Sequence, residues 1–149
     1  MANIDIEAVK AEWVGKVYDT VQHSVKTEKA VDWAKASGEA DPRFIDPAHP
    51  DFQAHPSFTS HFSNRWMLPE DFPDFGGRGI DGGKSVEVHA PIRGGDVLSG
   101  DSQIADIYAK TGRSGTMVFI VHRIEFRNQS GVKVATVDTK MIRSLEGSE

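Results

Sequence analysis

Two carboxylates lie close together in the run Gly38-Glu39-Ala40-Asp41-Pro42. A carboxylate that takes a proton from water makes it nucleophilic, ready to attack an acyl carbonyl or add to a double bond. The same chemistry needs a second group to return a proton. Three of the six histidines, His49, His55 and His61, follow in a Pro-rich segment. His55 and His61 are the ones that could bring an imidazole or a metal ligand from elsewhere in the fold, but all three read more simply as turn or surface residues. No H-E-x-x-H spacing occurs to support a metal site. Without cysteine there is no thiolate nucleophile, thiolate ligand or disulfide. Arg78, Arg93 and Arg113 sit in loops or turns, where a guanidinium either pairs with phosphate or stays solvated. The plain alternative for Glu39 and Asp41 is that they cap a helix end and its turn, since Asp before Pro is a common turn former.

These groups need a frame. Ala30, Val31, Trp33, Ala34 and Ser37 recur at helical spacing. Thr27 is the expected N-cap of that helix and Gly38 its left-handed stop. A shorter helix is expected from Asp5 to Trp13, then a strand from Val17 to Val25 with His23 in its alternation. Prolines 42, 47, 50 and 56 forbid a long regular element between Asp41 and Pro56. Phe58, Phe62 and Trp66 at four-residue spacing predict a second short helix. Pro69 to Gly83 reads as a long loop, of which Phe72 to Gly83 is either a lid, part of a pocket or a plain connection. Its Gly pairs lead into a strand rather than a helix, which argues against a phosphate loop. Strands are expected over 85–90, 97–109, 116–127 and 132–143, with His89 and His122 packed inside them. The run Met117 to Val121 is continuously apolar, the pattern of a strand covered on both faces. Short turns between these strands make the sheet antiparallel. The class is α+β, with the main helix across one sheet face, and a tail from Leu145 that frays.

At 149 residues, 38% apolar and 26% charged, the chain reads as one domain, 1–149. No stretch reaches the ~18 apolar residues of a membrane span. The N-terminus lacks a basic region followed by an apolar one, so a cytoplasmic location is expected. The net charge of −5 with scattered Arg and Lys disfavours nucleic acid. It does not bar a substrate such as coenzyme A, which needs only a few local cations.

The helix, the G-E-A-D-P turn, and the strand motifs PIRGGDVLSG, GRSGTMVF and EFRNQSGVKVATVDT resemble the MaoC-like hot-dog dehydratases. The likeness spans roughly Val14 to Arg143. It is greatest to the fatty-acid-synthase-type dehydratase domain that forms an N-terminal half or a partner subunit. The resemblance implies a hot-dog fold, an antiparallel sheet wrapped around one central helix, and side-by-side pairing through edge strands. It implies reversible water addition to an enoyl thioester on coenzyme A or acyl carrier protein, with no other cofactor and no metal. Active members carry G-D-x-N-P-x-H, whose Asp and His form the acid/base pair. Here Glu39 stands at the Asp position and Phe44 at the His position. The resemblance therefore implies a substrate-shaping subunit beside a catalytic MaoC-like chain, weak or inactive alone, with Glu39 as the fallback catalytic residue. Pro56, Ser57 and Phe58 match a segment that lines the acyl pocket. With Asp41, Phe44 and Arg93 they make up the expected substrate-binding set. Phe58, Phe62 and Trp66 are either tunnel walls or ordinary core. Two alternatives stay open: a homodimeric acyl-CoA thioesterase using Glu39, and a non-catalytic acyl-CoA binding module.

Overall fold

The computed structural model describes residues 4–146. Asp5 caps α1 (Ile6–Trp13) by accepting from the Ala8 N–H at 3.2 Å. There follow β1 (Val17–Ser24), α2 (Thr27–Ala36), a single turn α3 (Pro42–Ile45) and a 3-10 turn (Pro56–His61). The chain ends in β2 (Arg78–Val88), β3 (Val97–Gly112), β4 (Gly115–Arg127) and β5 (Lys133–Glu146). The five strands form one antiparallel sheet in the order β1-β3-β4-β5-β2. This is the expected α+β hot-dog arrangement.

Alternate residues of β4 point to one face. On that face lie two apolar clusters. Ile124 and Phe126 join Ala30 of α2, Phe58 of the 3-10 turn, Ile92 and Leu98. Val118 and Ile120 join Val9 of α1, Phe75, Ile104 and Ile107. His122, 2% exposed, stands between them on the same strand face. On the opposite face Phe119 is covered by neighbouring side chains rather than by a second layer. Tyr108 stacks on it with centroids 4.8 Å apart, and the Lys110 ammonium sits 5.3 Å from its ring. The apolar run of β4 thus marks a central strand, not one sandwiched between layers.

The strand motifs hold the helix in place. Ile92 is core, and Gly94 meets the Thr27 side chain so closely that a Cβ would collide with its hydroxyl. Gly95 takes φ +89°, which favours glycine. Buried Asp96 accepts from the Arg93 N–H at 2.8 Å and from Gln129 Nε2 at 2.9 Å. Gln129 Oε1 in turn accepts from the Val97 N–H at 3.0 Å. PIRGGD and NQSG therefore clasp each other beneath the start of α2.

The tail expected to fray from Leu145 begins too early, because Leu145 lies in β5 and pairs with Thr116. Three further expectations are corrected. Thr27 does not cap α2: Lys26 takes the cap position without a side-chain bond, because the Thr27 side chain is packed on Gly94. The helix over Phe58–Trp66 is replaced by the 3-10 turn, which ends at His61, and Trp66 is 61% exposed. The loop before β2 ends sooner than Gly83. Strand pairing starts at Arg78 opposite Ser144 and crosses a register shift between Asp81 and Lys84. Gly82 hid this, since it reads as a loop residue. A Cβ there would come within 2.9 Å of Lys140 and Ile142 on β5, so the close strand contact requires glycine.

Candidate functional site

α2 stops where Gly38 adopts φ +80°. The next backbone amides turn toward the Glu39 side chain. Its Oε1 accepts from the Ala40 N–H at 3.0 Å and the Asp41 N–H at 2.9 Å. The Asp41 N–H above all holds the Glu39 carboxyl below the usual carboxylate range, against the smaller upward push of burial; the Ala40 N–H and His55 act in the same sense. Asp41 is the N-cap of α3, accepting from the Arg43 N–H at 3.0 Å. It also holds the Arg43 guanidinium at 3.1 and 2.8 Å. That guanidinium hydrogen bond is the main reason the Asp41 carboxyl is also held low. The Arg43 guanidinium carbon lies 5.2 Å from the Phe44 ring centroid.

The chain then doubles back. The Gln53 N–H donates to the Arg43 carbonyl at 2.9 Å and the Ala54 N–H to the Ile92 carbonyl at 2.8 Å. This return places His55 beside the turn after α2. His55 Nε2 is 3.3 Å from Glu39 Oε2, and its ring meets Phe44 edge-on with centroids 5.2 Å apart. His55 Nδ1 accepts from the Ser57 N–H at 3.2 Å and lies 2.8 Å from Ser57 Oγ. An acceptor Nδ1 puts the imidazole proton on Nε2, facing the carboxylate. Ser57 Oγ receives the Trp33 indole N–H at 2.9 Å. A continuous row thus runs Trp33, Ser57, His55, Glu39 and back to the backbone of the helix end.

The structure gathers Glu39, Asp41, Phe44 and Ser57 into one region. Pro56 opens the 3-10 turn and is exposed, while its carbonyl accepts from the Thr59 hydroxyl at 2.9 Å. Phe58 is 2% exposed, packed edge-on to Trp33 and Phe62 and stacked on His61. It is core in this chain, and an acyl group beside it would have to displace a neighbour. Arg93 Nη1 is committed to Asp51 Oδ1 and the Phe52 carbonyl, each at 2.9 Å. Arg78 starts β2 and Arg113 tips the β3–β4 hairpin; among the described residues neither hydrogen-bonds to the Glu39 group. His49 is a turn histidine, with Nδ1 accepting from the Asp51 N–H at 3.0 Å. Among the described residues no three metal-ligating side chains converge.

From the sequence His55 is either a turn residue or an imidazole brought from elsewhere in the fold, and its spacing does not say which group it faces. It is indeed the N-cap of the 3-10 turn. The signal was the local spacing His55-Pro56-Ser57, a cap followed by Pro at the first turn position. What it could not give was the long return that faces the same ring toward Glu39.

Residues 12–137 match the family described as FAS1-like, dehydratase domain region. The chain belongs to that family, and its fold is the hot dog of the MaoC-like dehydratases. UPF0336 protein SCO4636 of Streptomyces coelicolor is 29% identical over 147 residues, covering 91% of this chain and 95% of the relative. Two solved assemblies from Mycobacterium tuberculosis are similar in fold. A chain of the ChsH1–ChsH2 complex superposes with a TM-score of 0.68 at 17% identity, over 97% of this chain and 91% of that one. A chain of the C-terminally truncated HadBC (3R-hydroxyacyl-ACP dehydratase) complex gives 0.65 at 18% identity, over 93% and 98%. No helix among the described residues is long and apolar enough to cross a membrane.

Proposed function

We propose that this chain is the acyl-shaping subunit of a hydro-lyase that adds water reversibly to enoyl thioesters on coenzyme A or acyl carrier protein. A second hot-dog chain supplies the Asp/His pair. The observation that carries this reading is the closed state of the Glu39–His55 pair. Hydration needs one group to deprotonate water and another to protonate the α-carbon. Here one imidazole nitrogen is spent on Ser57 and the other faces Glu39 directly at 3.3 Å. Two backbone amides hold the other carboxylate oxygen and keep the carboxyl acidic. Such a pair braces the turn, and a carboxyl held low by two backbone amides is a weak base toward water.

Two further points support the reading. β2 is an edge strand whose first eight residues are exposed, an open row of backbone groups suited to pairing with another sheet. The HadBC relative, a complex of two chains, is described as a 3R-hydroxyacyl-ACP dehydratase. The test is reconstitution with a hot-dog chain carrying G-D-x-N-P-x-H. A stable heteromer whose acyl-length preference changes on Phe44→Ala, a half-buried ring beside His55, supports the proposal. A partner that is equally active and equally selective without this chain overturns it.

The thioesterase alternative draws on the row Glu39–His55–Ser57, with Glu39 activating water. A carboxyl held this acidic is a poor base for that step. Glu39→Gln distinguishes the two: thioester cleavage lost in the variant favours the thioesterase, and unchanged rates eliminate it.

A further inference from the structure

A cavity of about 430 Å³ opens where α1 and β1 meet the segment after Phe62. It is lined by Trp13, Tyr18, Trp66, Pro69, Glu70 and Asp71. None of these residues belongs to the Glu39 row. Three aromatic side chains therefore come together from α1, β1 and a loop, with two carboxylates beside them.

The loop that carries Trp66 is fastened from beneath. Asp19, 5% exposed, accepts from the backbone N–H groups of Arg65 at 2.9 Å and Trp66 at 3.3 Å, and from Arg65 Nε at 3.1 Å. The Tyr18 hydroxyl donates to the Met67 carbonyl at 2.6 Å. Trp13 is packed against Phe72 with centroids 6.1 Å apart. Yet this anchored backbone leaves the Trp66 indole 61% and Met67 45% exposed. Burial pushes the pKa of the Tyr18 phenol up, so it stays neutral. Aromatic faces are electron-rich and attract cations, most strongly at tryptophan. Glu70 and Asp71 form no ion pair among the described residues. The chain's own Lys16 ammonium already lies 5.9 Å from the Trp13 ring.

We infer that this cavity binds an alkylated ammonium group, held against the Trp13, Tyr18 and Trp66 rings and balanced by Glu70 and Asp71. The carboxylates disfavour anions, and their presence separates the site from a plain apolar groove. The cation's source is either a free quaternary ammonium compound or a methylated lysine side chain.

The test follows tryptophan emission at fixed ionic strength. The intact chain is titrated with choline, with N-acetyl-trimethyllysine amide, and with 3,3-dimethyl-1-butanol, the neutral isostere of choline. One of the two cations should saturate the signal at least about tenfold more tightly than the isostere, and the tighter cation names the source. Trp66→Ala should abolish the response with the circular dichroism spectrum retained. Glu70→Gln with Asp71→Asn should weaken binding about fivefold while keeping both side-chain shapes. Equal binding of the neutral isostere, no saturation with either cation, or a response that survives in Trp66→Ala overturns the inference.

Discussion

Between pH 8 and pH 5, above the range where the low-held carboxyls titrate, acid should weaken this fold chiefly through His122. Its imidazole is buried between the two apolar clusters, and Nε2 has no hydrogen-bond partner. Burial lowers its pKa from 6.5 to about 4; Lys84 pushes the same way and Asp138 opposes. The unfolded chain therefore takes up a proton as pH falls through 6.5, while the folded chain stays neutral until about 4. Stability is fully present above 6.5 and is lost progressively down to about 4, where the loss levels off. At pH 5 the difference amounts to about 2 kcal/mol of lost stability relative to pH 8. With a urea m-value of about 2 kcal/mol/M, that moves the unfolding midpoint by about 1 M. His122→Leu removes the titrating group and the orphan nitrogen together, so its midpoint should move much less between pH 8 and pH 5. Equal pH dependence in the wild type and His122→Leu would refute the argument, because some other group would then be taking up the proton.

Three further outcomes follow. Gly94→Ala should destabilise by about 1–3 kcal/mol in urea melts, because its Cβ collides with the Thr27 side chain at the start of α2. Trp33→Phe keeps an aromatic ring beside Phe58 but loses the indole bond to Ser57; it should cost about 1 kcal/mol by the same assay. His55→Ala frees the 3-10 turn and the Glu39 carboxylate together. In the reconstituted heteromer it should raise KM for long acyl substrates and leave kcat unchanged, as steady-state kinetics across chain lengths will show.

The strand pattern was legible because period-two alternation and the Gly-bearing turns are local signals. They located β3, β4 and β5 and the NQSG hairpin, whose Asn128 side chain accepts from the Ser130 and Val132 amides. The early start of β2 was not legible, because Gly79, Gly82 and Gly83 carry no alternating side chains. Thr27 is not the cap that its residue type suggests because capping preference is a local rule, whereas its side chain is fixed by Gly94 on a distant loop. The candidate site divides the same way. The Glu39–Asp41 turn was evident from its residues, and the cap role of Asp41 is what its place before Pro suggests. The facing of His55 onto Glu39 depends on the Gln53–Arg43 and Ala54–Ile92 backbone bonds, which no spacing in the sequence reveals.

Hydration of crotonyl-CoA by the purified chain, with and without a hot-dog partner that carries the Asp/His pair, tests the central claim most directly. Turnover should be absent from the chain alone, and pairing should alter the partner's acyl-length selectivity. An ordinary enzymatic turnover of about 1 per second or faster by the chain alone, lost in Glu39→Gln, would show instead that Glu39 and His55 do the chemistry themselves.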